Sequence, residues 1–302
     1  MDPVLLVASI MVSATPILLA ALGEMVVEKS GVLNLGVEGM MITGAVMGFA
    51  IAVTSGSPLM GFAGAAVSGA VLSLAFGFLT QYLLSNQVAT GLGLTLVGLG
   101  LSALIGSHYE GQRAPALGKL DMPLLSDIPM LGRMLLSHDI MVYVSLALVA
   151  AVWAFLKYTR AGLILRAVGE DHASAHALGY KVVRVRMAAI AFGGACAGMG
   201  GAYVSLVRVP QWTEGMTAGA GWIALAIVVF ASWRAFGVLI GAYLFGGVTV
   251  IQLNLQAAGT TVPVELLSMS PYLITIIVLV IISARGVQGA PASLGRSFHA
   301  SS

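Results

Sequence analysis

Nine apolar runs, separated by short polar stretches, make up most of this chain. Val4–Leu22, Leu35–Val53, Gly61–Leu84, Val88–Gly106, Ile140–Leu156, Met187–Val207 and Ala235–Leu255 each come near the roughly 20 residues that cross a bilayer as a helix. Ala218–Ser232 is short for a full crossing, and Pro271–Ile282 brings the chain back a last time. The runs are uniformly apolar and about twice the length of the alternating segments, roughly 10 residues each, that build a membrane barrel. Only helices and closed barrels satisfy the backbone in lipid. The pattern therefore predicts an all-α fold: a polytopic integral membrane helical bundle of about nine membrane segments. One of these, Ala218–Ser232, has glycines around its entry and reads as a broken or re-entrant helix. A single transmembrane domain over residues 1–302 accommodates all nine.

The polar stretches orient the bundle. Residues 157–186 hold Lys157, Arg160, Arg166, Lys181, Arg184 and Arg186, six of the fourteen Lys and Arg, against Glu170 and Asp171. Short loops rich in Lys and Arg stay on the cytoplasmic side. Ser107–Asp139, with Pro115, Pro123 and Pro129, has three basic and four acidic residues and reads as external. Counting crossings from these loops puts the N-terminus outside and the C-terminal tail, with Arg285 and Arg296, in the cytoplasm. Within the basic loop, Arg166–Leu178 reads as one short alanine-rich helix closed by Gly179 as a C-cap. Such a helix lying on the cytoplasmic face is a surface for a partner to grip.

Composition agrees. Of 302 residues 59% are hydrophobic and 9% charged, where soluble domains carry about 25% charged residues. Mean hydropathy is +0.99. Met1-Asp2-Pro3 lacks the positive start of a cleavable signal. Cys196 is the single cysteine, so no intramolecular disulfide or cysteine metal cluster is expected. His172 and His176 are four apart, but without a third ligand they read as surface residues rather than a zinc site. There is no G-x-x-x-x-G-K-[ST] phosphate loop, no H-E-x-x-H, and no run of carboxylates inside the spans. The chain carries no energy source or nucleophile–base pair of its own.

Three stretches hold chemistry beyond spanning. In Ser30–Gly44, Asn34 and Glu38 are four apart and would share a helical face, beside Gly31, Gly36 and Gly39. Glycine-interrupted segments point to discontinuous helices that line a substrate path. Glu38 is either such a path residue or a hydrated carboxylate at the interface. In Thr213–Gly247 a half-length run breaks at Ser232-Trp233-Arg234 and resumes; the other reading is an ordinary hairpin of two spans with Arg234 at the cytoplasmic face. Ser85-Asn86-Gln87 with Thr90, and Gln252 with Asn254, offer amides and hydroxyls to a hydroxylated substrate or bonds between helices. Trp212 and Trp222 either stack on a base or sugar or belong to interfacial belts.

Four of these patches together resemble the transmembrane permease subunits of bacterial ABC importers, in the group that takes up ribose-type sugars, branched-chain amino acids and nucleosides. Ser30–Gly44 is similar to the G-x-x-[DN]-L-x-V-x element at the start of a central span. Arg160–Gly179 is similar to the cytoplasmic R-A-x-G-E…A…G coupling segment. Gly219–Gly247 is similar to the G-x-G…A-x-x-x-G…G-x-x-x-G-A element of the C-terminal half, although Phe230-Ala231-Ser232 stands where glycines are common. Ala284–Arg296 resembles the ending of the nucleoside branch. The Leu33–Gly39 form, with Asn34 where sugar permeases usually have Asp, looks most like the nucleoside type.

The resemblance implies a permease subunit of an ATP-driven importer in the bacterial plasma (inner) membrane, moving nucleosides. A simple-sugar permease is the alternative, and an ATP-independent secondary carrier a more distant one. It implies no cofactor on this chain, with ATP and Mg on a separate cytoplasmic ATPase. It implies a second related permease subunit, taken as a heterodimer, a substrate-binding protein outside, membrane lipid around the bundle and no nucleic acid. The expected substrate path includes Asn34, Glu38, Asn86, Thr90 and Trp222. The expected ATPase-coupling residues are Arg166, Gly169, Glu170, Ala173, Ala177 and Gly179. No metal site and no catalytic residue are expected.

Overall fold

The computed structural model describes residues 3–118, 138–259, 262–284 and 289–299. Pro123, Pro129 and Arg285 lie outside the described residues. Eleven α-helices account for most of what is described: α1 (Pro3–Lys29), α2 (Val37–Ser55), α3 (Pro58–Gln81), α4 (Gln87–Gly106), α5 (Ile140–Tyr158), α6 (Arg160–Glu170), α7 (His172–Ala177), α8 (Val182–Tyr203), α9 (Ala220–Phe230), α10 (Ala235–Ala257) and α11 (Val264–Ala284). A π-helical turn, Val204–Arg208, continues α8. Seven helices are long and apolar enough to cross a membrane; α9 and Val264–Val278 of α11 are shorter apolar helices. The chain is thus a polytopic helical membrane bundle.

α1, α2 and α8 form its centre, because their facing residues are small. A Cβ built on Gly44 would lie 2.3 Å from the Gly198 Cα, and one on Gly201 would lie 1.8 Å from the Met41 carbonyl oxygen. Backbones this close maximise dispersion contact where lipid offers no hydrophobic drive between helices. The Ser205 Oγ, in the π turn, donates to the Ala45 carbonyl at 2.8 Å and ties the same pair at its far end. α3 packs against both α2 and α8, meeting Gly198 through Ala65 and Gly69, and α10 lies against α1. α3, α4, α10 and α11 leave large apolar side chains exposed, such as Leu96 (70%) and Ile240 (62%).

The helix ends sort into two faces. One collects the end of α1, the α3–α4 turn, the start of α8, α6, α7, the α9–α10 turn and the C-terminal tail. The other collects the end of α8, the start of α5 and the loops that follow α4 and α8. There Asp139 caps α5, accepting from the backbone N–H groups of Met141 and Val142, and also accepts from the Tyr203 hydroxyl at 2.7 Å. Trp212 is buried against Gly106 on this second face and so is not an interfacial belt residue.

Several elements differ from the sequence reading. α1 runs on to Lys29 rather than ending near Leu22, so Glu24 and Glu28 lie inside a buried helix and not in a loop. Both are stabilised there by donors: the Asn34 N–H reaches Glu24 at 3.3 Å and the Trp233 indole N–H reaches Glu28. Arg166–Leu178 is not one helix. It breaks at Asp171 (φ −146°, ψ 98°), whose carboxylate caps α7 by accepting from the Ala173 and Ser174 N–H groups. Asn34 and Glu38 do not share a helical face, because α2 begins only at Val37. α11 starts at Val264, about two turns before Pro271. Gly179 does close α7: with φ +86°, its N–H reaches the His176 carbonyl while the Tyr180 N–H reaches Ala175, the paired bonds of a Schellman cap.

Candidate functional site: a broken-helix junction and a basic-face surface

Between α1 and α2 the chain does not simply turn. After Gly31 (φ +88°), residues 32–36 run back alongside α1 as far as Glu24, whose carboxylate accepts from the Asn34 N–H. The Asn34 Oδ1 then accepts from the Gly36 N–H at 2.9 Å, and its Nδ2 approaches the Met40 sulfur at 3.4 Å. Asn34 is buried at 1% exposure. The side-chain acceptor replaces a helical turn that the glycine leaves open, and α2 starts inside the bundle.

α9 also begins inside. Its 11 residues span only about 16 Å at 1.5 Å per residue, half of a hydrocarbon core. Its C-terminal end meets α1 through Trp233 and Glu28 on the basic face, so its N-terminus lies at mid-depth. Glu38, in the first turn of α2, meets that N-terminus. Its carboxylate accepts from the Thr217 hydroxyl at 2.6 Å, the Gly219 N–H at 3.0 Å and the Gly221 N–H at 2.7 Å. A Cβ on Gly221 would lie 2.5 Å from the Glu38 Cα. Two helix N-termini thus share one carboxylate. The open N–H groups at the start of α9 find their acceptor there, and both oxygens of the carboxylate are satisfied. Glu38 is 3% exposed; it is neither at a hydrated interface nor pointing freely into a path.

A cavity of about 350 Å3 opens above this junction from the second face. Arg208, Thr217, Thr249, Gln252, Ser268 and Tyr272 give it a polar lining. Thr217 connects it directly to Glu38. The π turn at Val204–Arg208 sets Arg208 at its edge. Trp222, one residue past Gly221, is 48% exposed. Asn86 and Thr90 are not brought to this junction. They sit at the α3–α4 turn, where Asn86 caps α4 through the Ala89 N–H and Thr90 bonds Ser85 at 2.8 Å. Gln87 is the residue of that turn that reaches inward: its Oε1 accepts from the Leu33 N–H at 2.8 Å, and its buried Nε2 has no partner among the described residues. An amide beside a polar turn was visible in the sequence; which of the adjacent amides points inward was not.

The basic face has its own organisation. Arg186, counted among the loop charges, is fully buried. Its guanidinium donates to the Ser30 carbonyl, the Gln81 Oε1 and the Arg296 carbonyl at 3.1–3.3 Å and lies 3.3 Å from the His172 Nδ1. It joins the ends of α1 and α3 to α7 and the tail. Gly169 is buried against the end of α1: a Cβ there would meet the Lys29 carbonyl at 2.1 Å. Glu170 accepts from the Ala292 N–H at 3.0 Å, and the Ser293 N–H donates to the Gly169 carbonyl. Phe298 covers the edges of His172 and His176 at ring distances of 5.4 and 5.2 Å. Burial and Arg186 together push the His172 imidazole below its ordinary range, while the Ser174 hydroxyl and N–H hold Asp171 down. Arg166, Ala173, Ala177 and Gly179 remain exposed. So does Leu178, at 77%, an apolar side chain at the tip of this face that the sequence reading passed over.

A bundle with broken helices meeting at mid-depth, a polar cavity above them and an exposed helical tip fits a membrane permease component. Comparison with known proteins is specific. Residues 6–282 match the family described as the branched-chain amino acid transport system permease component, and the chain belongs to that family. It is 38% identical to a putative glucose ABC transporter permease protein of Haloferax volcanii, with 95% of each chain covered. It is 29% identical to a nucleoside ABC transporter permease protein of Lactococcus lactis, over 97% of this chain and 96% of that one. It is also 29% identical to a guanosine ABC transporter permease protein of Bacillus subtilis, over 91% of each. No solved structure matches the chain. The chain is an ABC importer permease; such permeases in general work with an ATPase and a binding protein.

Proposed function

We propose that this permease forms the translocation path for nucleosides across the bacterial plasma membrane, with residues 1–302 as one transmembrane unit and residues 157–186 on the cytoplasmic side. The observation that carries the path is the cavity from the second face, which reaches Thr217 and so the Glu38 junction of α2 and α9. Polar lining from Arg208, Thr249 and Gln252 suits hydroxyls and ring nitrogens, and the exposed Trp222 offers a face for a base. In this reading Asn34 and Glu38 hold the frame of the path. The unpartnered Gln87 Nε2, beside Asn86 and Thr90, is a donor at its inner end. Alternating access then moves α2 and α9 against one another about the shared carboxylate.

The exposed tip supports the coupling role. Arg166, Ala173, Ala177, Gly179 and Leu178 meet the ATPase, which binds ATP and Mg; Gly169 and Glu170 hold the tip to α1 and to the tail. A related permease as heterodimeric partner and an extracytoplasmic binding protein complete the complex. A simple sugar is the second reading, favoured by the 38% identity to the glucose permease against 29% for the two nucleoside relatives; the Asn34 form of the entry element favours the nucleoside. Uptake of labelled guanosine and glucose, measured in cells expressing the complete transporter, separates them. Guanosine uptake that excess glucose leaves unchanged is the expected result; the converse establishes the sugar reading. Orientation is tested with an impermeant thiol reagent. A cysteine replacing Glu214 should label from outside and one replacing Ser174 should not, with the buried Cys196 silent. The reverse pattern inverts the bundle.

A further inference from the structure

The basic face holds a second cavity, beside the tip and distinct from the broken-helix junction. Its volume is about 650 Å3. Four cations line it: Lys29 at the end of α1, Lys157 at the end of α5, Arg166 on α6 and Arg234 at the α9–α10 turn. Among the described residues no carboxylate lines it. Glu170 lies near Lys29 and Arg166 and offsets part of their charge while accepting from the Ala292 N–H, and Glu28 accepts from the Trp233 indole; Lys157 and Arg234 have no such neighbour in the lining. Lys29 gives one bond to the Gly289 carbonyl at 3.0 Å, and Lys157 lies over the Trp153 ring at 4.9 Å. Neither contact neutralises a charge. The Arg166 and Arg234 side chains donate no hydrogen bond among the described residues. Like charges gathered in one cavity repel, and an anion among them removes that cost.

Apart from Ser232, the rest of the lining is mostly apolar, with Trp153, Leu156, Phe230, Phe236 and Ile240 as its large side chains. Trp153 and Phe236 meet edge to face at 5.7 Å. From there the wall continues along α10 to Ile240, whose side chain is exposed on the flank of the bundle. Cations at the membrane surface and an apolar wall descending into the hydrocarbon match the two ends of one molecule. Free phosphate would use the cations alone. Basic pockets between helices at a cytoplasmic surface bind anionic lipid headgroups.

We propose that this cavity binds an anionic phospholipid of the adjacent leaflet. Its headgroup sits among Lys29, Lys157, Arg166 and Arg234, and an acyl chain lies along Trp153, Phe236 and Ile240. The proposal rests on the basic face being the cytoplasmic one. The lipid would bridge α6 to the α9–α10 corner, where Ser232 and Trp233 hold φ of +49° and +54°. Membrane composition would then bear on how motion of the tip reaches α9.

The test is native mass spectrometry of the full-length chain in nonionic detergent, with phosphatidylglycerol or phosphatidylcholine added. The wild type should retain phosphatidylglycerol in preference to phosphatidylcholine. Lys157→Gln with Arg234→Gln should lower that preference about thirty-fold, at about 1 kcal/mol for each cation removed. Lys181→Gln with Arg184→Gln removes two exposed cations outside the cavity and should leave it unchanged. Phe236→Ser should shorten retention of both lipids alike, which checks the apolar wall independently of charge. Equal retention of the two lipids, an equal loss in both charge pairs, or retention of detergent only overturns the proposal. So does a Lys157/Arg234 pair that keeps its lipid but no longer assembles with the ATPase, because the cavity is then a protein groove. None of these readouts uses uptake, so a failure here is separate from a failure of the transport reading.

Discussion

The broken-helix junction and the basic-face tip use polar residues in opposite ways. At the junction the acceptors are matched from within the chain: Glu38 by three donors of the α9 entry, Asn34 by Gly36, Glu24 by Asn34. At the tip the chain satisfies the root and leaves the end open. Arg186, Gly169 and Glu170 are tied to α1 and the tail, whereas Arg166, Ala177 and Leu178 face outward. Burial explains the difference. A buried donor without a partner costs about 1–3 kcal/mol, and Asn34, Glu38 and Glu24 are all buried. The tip can leave groups unpaired until a partner arrives.

That contrast can be broken at its strongest point first. Glu38→Ala orphans the Gly219 and Gly221 N–H groups and the Thr217 hydroxyl, at about 1–3 kcal/mol each. Thermal unfolding in detergent should show severe destabilisation, with Glu38→Gln intermediate. Unchanged melting in both would mean that α9 is held by packing alone. The root of the tip comes next. Gly169→Val places side-chain carbon against the Lys29 carbonyl, so α6 must lift from α1. Uptake should be lost, with a smaller drop in melting temperature than for Glu38→Ala.

A substitution at the tip itself sharpens the comparison. Leu178→Glu touches nothing inside the chain and should shift stability by less than about 0.5 kcal/mol. Uptake should nevertheless fall about tenfold, as expected for an apolar contact of about 1.4 kcal/mol lost to a partner. Uptake at the wild-type level would remove Leu178 from the docking surface. The smallest effect concerns pH. His172 has a folded-state pKa below its ordinary value, so its neutral form is favoured in the folded state. Its contribution is complete above the unfolded value near 6.5 and declines as pH falls below it, because the unfolded chain then binds the proton more readily. Unfolding followed between pH 7.5 and 5.5 should show a slightly steeper loss for the wild type than for His172→Gln.

Much of the bundle was legible from residue pattern alone. Length and hydropathy place the seven long crossings, the half-length helix at α9, the basic loop, and Gly179 as a cap, because each rests on local chemistry: desolvation of the backbone, charge near a membrane, a left-handed turn. The pattern could not show which side of each span is buried. Lipid is as apolar as a protein core, so a span facing either one reads the same, and only glycine positions hint at close contact. Nor could it pair Glu38 with Thr217, 179 positions away, or separate the buried Arg186 from the exposed Arg184 two residues earlier. Those choices depend on which backbones the tertiary structure brings within hydrogen-bonding reach. A buried charge is tolerated only where distant parts of the chain supply its partners.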